Sequence, residues 1–151
     1  SPILGAARGA VAAYRARLAT GGPDGAPIDR ALDHECLARS ETAVRIAELA
    51  IRDAGHRLIA LYGDGGTPPA EAPLALRVQV SHAAEMCKTV LRAISDASGS
   101  SAHLLGNPLQ RAVRDGTMLA THATINPFGL TEALGKVMLG LQATIPGPRV
   151  N

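Results

Sequence analysis

Residues 28–62, IDRALDHECLARSETAVRIAELAIRDAGHRLIALY, run without a proline. Leu32, Leu37, Val44, Ala47, Ile51, Ala54 and Leu58 recur along them at helical spacing, so the stretch predicts one long amphipathic helix, ended by Gly63. On its other side Glu41 with Arg45 and Glu48 with Arg52 stand four apart in the favourable order, which reads as a solvated charged face. A helix of this length hides its apolar stripe only against other helices of similar reach, and this decides the fold class.

The flanking sequence supplies those helices. Toward the N-terminus, Pro2 suits a first helical turn, and Ile3, Leu4, Ala7, Val11, Tyr14 and Leu18 follow at helical spacing until Gly21-Gly22-Pro23 stops them. Residues 21–27 form a loop. Beyond Gly63, a second loop reaches Pro73, and residues 74–98 place Leu76, Val80, Ala83, Ala84, Cys87, Val90, Leu91 and Ile94 on one broad face. Gly99 to Asn107 breaks that pattern. Pro108 then opens a fourth helix, which Asn126-Pro127 is expected to end, and residues 130–141 read as a short last helix. The expectation is an all-α fold: one domain over residues 1–151, built as an up-down four-helix bundle with a short extra C-terminal helix.

Composition agrees. Hydrophobic residues make up 46% of the chain but aromatics only 2%, with no Trp, so the core is Ala, Leu, Ile and Val, a mixture that favours helices over strands. The net charge of +2 is spread without a Lys/Arg run, which speaks against a nucleic-acid surface. No apolar stretch approaches the roughly 18 to 20 residues of a membrane span. Cys36 and Cys87 stand alone and read as reduced thiols, which fits a cytoplasmic protein.

A helical bundle often carries a di-iron site made from Glu-x-x-His pairs, and that pattern is missing. Asp53-Ala-Gly-His56 has the spacing but is solitary, and His82-Ala-Ala-Glu85 runs in the wrong order, so no metal is expected. No nucleophile elbow or phosphate loop is present either, and His34, His56 and His82 read as surface or locally bonded side chains. One segment differs from its aliphatic surroundings: residues 98–127, SGSSAHLLGNPLQRAVRDGTMLATHATINP. Small Gly and Ser residues ahead of a helix start let backbone N–H groups approach an anion. Within that helix Arg111 and Asp115 stand four apart, and Arg114-Asp115 fits an ion pair between helices as well as a ligand role.

Pro108-Leu-Gln-Arg111, Arg114-Asp115 and His122 behind a Ser/Gly loop resemble the last domain of acyl-CoA dehydrogenase-fold proteins, as does Leu4-Gly-Ala-Ala-Arg-Gly-Ala10 at the start. The resemblance covers nearly the whole chain. In many dehydrogenases of that superfamily the residue two places before the motif proline is the catalytic glutamate. Here it is Gly106, which has no side chain to take a proton. The residues are closer to the reduced-flavin-dependent monooxygenase branch. That branch implies reduced FMN or FAD delivered by a partner flavin reductase, O2, a small organic substrate and a homotetramer. It also implies His122 beside the flavin ring as a general base or hydrogen-bond partner, and Ser100, Ser101 and Arg111 near the cofactor, with Arg114 and Asp115 bracing the helix. His103 matches no family position and reads as a loop histidine. Such enzymes also have an N-terminal helical domain and a β domain, so this chain is expected to be the C-terminal part of a three-domain enzyme. The alternatives are a non-catalytic helical oligomerisation module and a dehydrogenase-related domain lacking the usual base.

Overall fold

A computed structural model describes residues 1–63, 65–99, 107–120 and 127–145. Five α-helices follow in order: α1 (Pro2–Thr20), α2 (Ala31–Tyr62), α3 (Glu71–Ser98), α4 (Pro108–Ala120) and α5 (Pro127–Met138). No strand occurs among the described residues. The all-α, up-down bundle with an added short helix is therefore the architecture found.

Side-chain contacts give the direction of each helix. Arg8 meets Glu48 and Arg15 meets Glu41, so α1 and α2 are antiparallel. Cys36 lies near the Ala93 carbonyl while Gln79 reaches Ala50 and Asp53, which makes α2 and α3 antiparallel too. At Gly116 an added Cβ would meet both Leu91 of α3 and Ala6 of α1, the place where α4 crosses them closely. The main core collects Ile3, Ala7, Tyr14, Val44, Ala47 and Leu91 with their neighbours, and Leu109 of α4 closes it. α5 packs separately, with Leu130 and Ala133 against Leu74 and Val78 at the start of α3. Burial pushes the Cys87 thiol up to about 11, so it stays protonated at neutral pH, and Cys36 and Cys87 are both free.

The boundaries differ from expectation at proline. α2 starts at Ala31 rather than Ile28, because the Ile28 amide is committed to the Leu18 carbonyl at 2.7 Å and Arg30 is extended. α3 starts at Glu71 and carries Pro73 inside its first turn, where a missing N–H costs nothing. Pro127 opens α5 instead of merely ending α4, and α5 stops at Met138 ahead of Gly140, whose φ is 70°.

The faces of α2 also need correction. Its buried register is Asp33, Ser40, Val44, Ala47 and Ala54, so Leu32 falls outside it and is 81% exposed. Leu58, expected in the core, is 44% exposed. Nor is the charged side simply solvated: Glu41 pairs with Arg15 of α1 rather than with Arg45, and Glu48 holds both Arg8 (2.6 Å) and Arg52 (2.8 Å).

Candidate functional site

Up-down topology brings the C-terminal ends of α1 and α3 and the N-terminal ends of α2 and α4 to the same end of the bundle. The α1–α2 connection is tight there. A Cβ on Gly21 would lie 2.6 Å from the Arg17 carbonyl oxygen and one on Gly22 2.7 Å from that of Ala26, so only glycine fits either place. That turn sets Asp33, in the first turn of α2, against α1.

Asp33 is buried and takes a 2.7 Å hydrogen bond from the Tyr14 hydroxyl on one carboxylate oxygen, while the other lies 2.6 Å from Arg30 Nε. The Tyr14 hydrogen bond, helped by the Arg30 and Arg17 charges, holds the Asp33 carboxyl below the usual range against the opposite push of its burial. Tyr14 is itself fully buried, and burial followed by the bond to Asp33 raises its hydroxyl far above the ordinary tyrosine value. The Arg17 guanidinium sits 5.2 Å over the Tyr14 ring and donates to the carbonyls of Ala97 and Ser98, both at 3.4 Å. Beside this chain of contacts a cavity of about 530 Å³ opens between Arg30, Ala31, Leu32, Asp33 and Ala97. Leu32 also borders a groove of about 630 Å³ between α2 and α3, whose floor includes Cys36, Met86 and Val90.

α4 starts at the same end. The Asn107 side chain accepts the Leu109 amide at 2.9 Å, a side-chain cap placed just before Pro108. One turn on, Arg111 is exposed, its Nε 3.5 Å from Asp115, and Arg114 Nε is 3.0 Å from the same carboxylate. The Arg114–Asp115 pair therefore lies within α4 and does not bridge helices. Two guanidiniums share one carboxylate, which leaves a positive balance on this face near the positive end of the helix dipole, a setting suited to a phosphate. Ser100, Ser101, His103, Gly106 and His122 lie outside the described residues, so among the expected site residues Arg111 is the one whose surroundings are seen. No cluster of metal-ligating side chains occurs among the described residues, and no described helix is long and apolar enough to cross a membrane.

The Tyr14–Asp33–Arg17 network was missed by sequence reasoning, although a signal for it exists. Asp33 and Ser40 continue the three-four spacing of Leu37, Val44, Ala47, Ile51 and Ala54, so a carboxylate occupies a core position and needs a partner there.

Comparison with known proteins extends the geometry. Among the solved structures that share the fold are three examples. XiaF from Streptomyces sp., in complex with FADH2 and glycerol, is 27% identical with a TM-score of 0.84, over 96% of this chain and 38% of that one. The HsaA monooxygenase from M. tuberculosis is 25% identical with a TM-score of 0.78, over 95% of this chain and 38% of that one. The 3-HSA hydroxylase from Rhodococcus sp. RHA1 is 24% identical with a TM-score of 0.82, over 94% and 36% respectively. This chain thus spans little more than a third of the length of each. No curated protein matches it. Residues 1–127 match the model of the acyl-CoA dehydrogenase C-terminal domain, and the chain belongs to that family.

Proposed function

We propose that this chain is the C-terminal helical domain of a three-domain, reduced-flavin-dependent monooxygenase acting on a small organic substrate. The observation that carries the reading is the shared fold with XiaF, whose structure holds FADH2, and with the HsaA monooxygenase. It is joined by Gly106, which leaves the usual dehydrogenase base position without a carboxylate. Bound reduced FMN or FAD, delivered by a partner flavin reductase, would supply the electrons that activate O2 for transfer of one oxygen atom to substrate.

The chain's own residues bind and orient. Arg111, exposed one turn into α4 on its positively balanced face, suits a flavin phosphate, and the Ser100 and Ser101 hydroxyls suit its polar edges. Arg114 braces Asp115. Histidine is the side chain whose unperturbed charge change lies nearest neutral pH, so His122 is suited to take a proton from substrate or to hold one at the reacting oxygen. One bundle supplies one wall of such a pocket, so the missing walls come from the rest of the enzyme. Leu32, Ile59, Phe128 and Leu139, each more than 70% exposed, give apolar surface for a homotetramer contact. The unpaired thiols of Cys36 and Cys87 accord with a cytoplasmic location.

The test is His122→Ala in the full-length enzyme with reduced flavin supplied. Loss of product with flavin binding retained supports the assignment, whereas full oxygenation removes it. Turnover of an acyl-CoA by the unaltered enzyme would instead revive the dehydrogenase reading. A second reading, a non-catalytic oligomerisation module, draws on the same exposed side chains. Light scattering on the purified protein tests the assembly, and a strict monomer at high concentration counts against both the module and the tetramer.

A further inference from the structure

We propose that the outer face of α2 is a two-fold contact of the assembly, across which α2 of a second copy of this chain lies antiparallel, centred on Ile46. The inference deepens the homotetramer part of the reading above and rests on it, but its geometry comes from α2 and the groove beside it.

Leu32, Glu35, Arg39, Thr42, Ile46, Leu49 and Asp53 recur three and four residues apart along α2, and all are exposed. That spacing is the seam along which one long helix packs on another, and it is distinct from the buried register of α2. Ile46 and Leu49, 49% and 62% exposed, stand near the middle of the helix. Beside them a groove of about 410 Å³ runs between Thr42, Ala43 and Ile46 of α2 and Met86 of α3.

Charge identifies the occupant. Ahead of Ile46 an acid is followed by a base, Glu35 and Arg39, 3.0 Å apart, and beyond it the same order recurs in Asp53 and Arg57, 3.6 Å apart. Turning the helix end over end about Ile46 reverses that order. Arg39 then falls opposite Asp53 of the second copy and Glu35 opposite Arg57 of the second copy, once on each side of the axis. Ile46 meets its own equivalent, and Leu49 lies over the small Ala43 of the second copy, in that copy's groove. Opposite charges and large-on-small packing coincide in one register, the self-complementarity that an isologous contact requires. An unrelated surface would impose no such inverted order on α2.

The experiment uses the full-length enzyme, with mass followed by light scattering over a dilution series and oxygenation assayed on the same samples. Ile46→Glu buries a charge at the axis and is expected to raise the dissociation constant of this contact about 100-fold. Arg39→Asp and Asp53→Arg should each raise it about tenfold by setting like charges together, and the double variant should reverse most of that loss. The hydrogen bond that Asp53 accepts from Gln79 lies within one copy, so rescue by the double variant reads the contact alone. An Ile46→Glu enzyme that keeps the unaltered mass at every dilution overturns the α2 contact and leaves a tetramer built elsewhere. Single reversals without effect, or without rescue in the double variant, overturn the register. An unaltered enzyme that is monomeric removes the tetramer and this contact together, whereas one that assembles but oxygenates nothing counts against the flavin reading alone. If Ile46→Glu does not fold, Ile46→Cys decides. Under mild oxidation it should form a disulfide-linked dimer about tenfold faster than Leu49→Cys, which faces Ala43 rather than its own equivalent, and equal rates overturn the register.

Discussion

The Tyr14 hydroxyl and the Asp33 carboxylate meet at 2.7 Å between α1 and α2, beside a core built mainly of Ala, Val, Leu and Ile. Tyr14→Phe leaves the buried carboxylate short of a donor and is expected to cost about 1–3 kcal/mol, read as a lowered midpoint of urea unfolding. The pair also makes a pH signature. The Tyr14 pKa is raised in the folded state, so its stabilising share is intact below the unfolded value near 10 and is lost as pH climbs past it. The Asp33 pKa is lowered, so its share is present above the unfolded value near 3.8 and is lost as pH falls below it. Thermal melts across the alkaline range should show a decline in the parent that is shallower in Tyr14→Phe; parallel slopes would refute the coupling.

Gly116 is expected to resist replacement. A Cβ there would overlap Leu91 Cδ1, and Leu91 is wholly buried among the core side chains. Gly116→Ala should cost about 1–3 kcal/mol despite the better helix propensity of alanine. In α5, by contrast, nothing lies within 4 Å of a Cβ on Gly135, so Gly135→Ala should gain about 0.5–1 kcal/mol. Chemical denaturation of the two variants compares them directly, and equal effects would show that packing at Gly116 is looser than described.

Asn107→Ala removes the side-chain acceptor for the Leu109 amide and should cost about 0.5–2 kcal/mol. Faster amide exchange in the first turn of α4, with α2 unaffected, is the accompanying local sign. Asn107→Asp should retain the cap.

Arg111→Met tests the proposed cofactor contact. The side chain is exposed and its ion pair with Asp115 is loose, so folding stability should change by less than about 1 kcal/mol. Affinity of the full-length enzyme for reduced flavin should drop about tenfold, and more steeply at low salt. Unaltered flavin titration curves would remove Arg111 from the site.

Helix number, order and direction were legible in the sequence, because apolar spacing and the Gly/Pro breaks at 21–27, 63–73 and 99–107 reflect local chemistry. Register was less so. Apolar character alone put Leu32 in the stripe, whereas the three-four spacing selects Asp33, and a carboxylate is recognised as a core residue only once Tyr14 is seen opposite it. Glu41 and Glu48 likewise have partners within their own helix by spacing, but α1 places arginines nearer, which no local pattern reveals. In the candidate site, the sequence motif named Arg111, Arg114 and Asp115 as a group, and they do cluster on α4. The network around Arg17 was hidden because its members are spread over three helices.

Alanine lines the places where the long helices touch: Ala7, Ala10, Ala47, Ala83 and Ala84 are each no more than 4% exposed. In a saturation mutagenesis library this arrangement gives a lopsided tolerance map. At these sites the enlarged variants should be the ones purged, while glycine, serine and cysteine persist, so sequence drift in this scaffold is confined by the spacing between its helix axes more than by loss of hydrophobic volume.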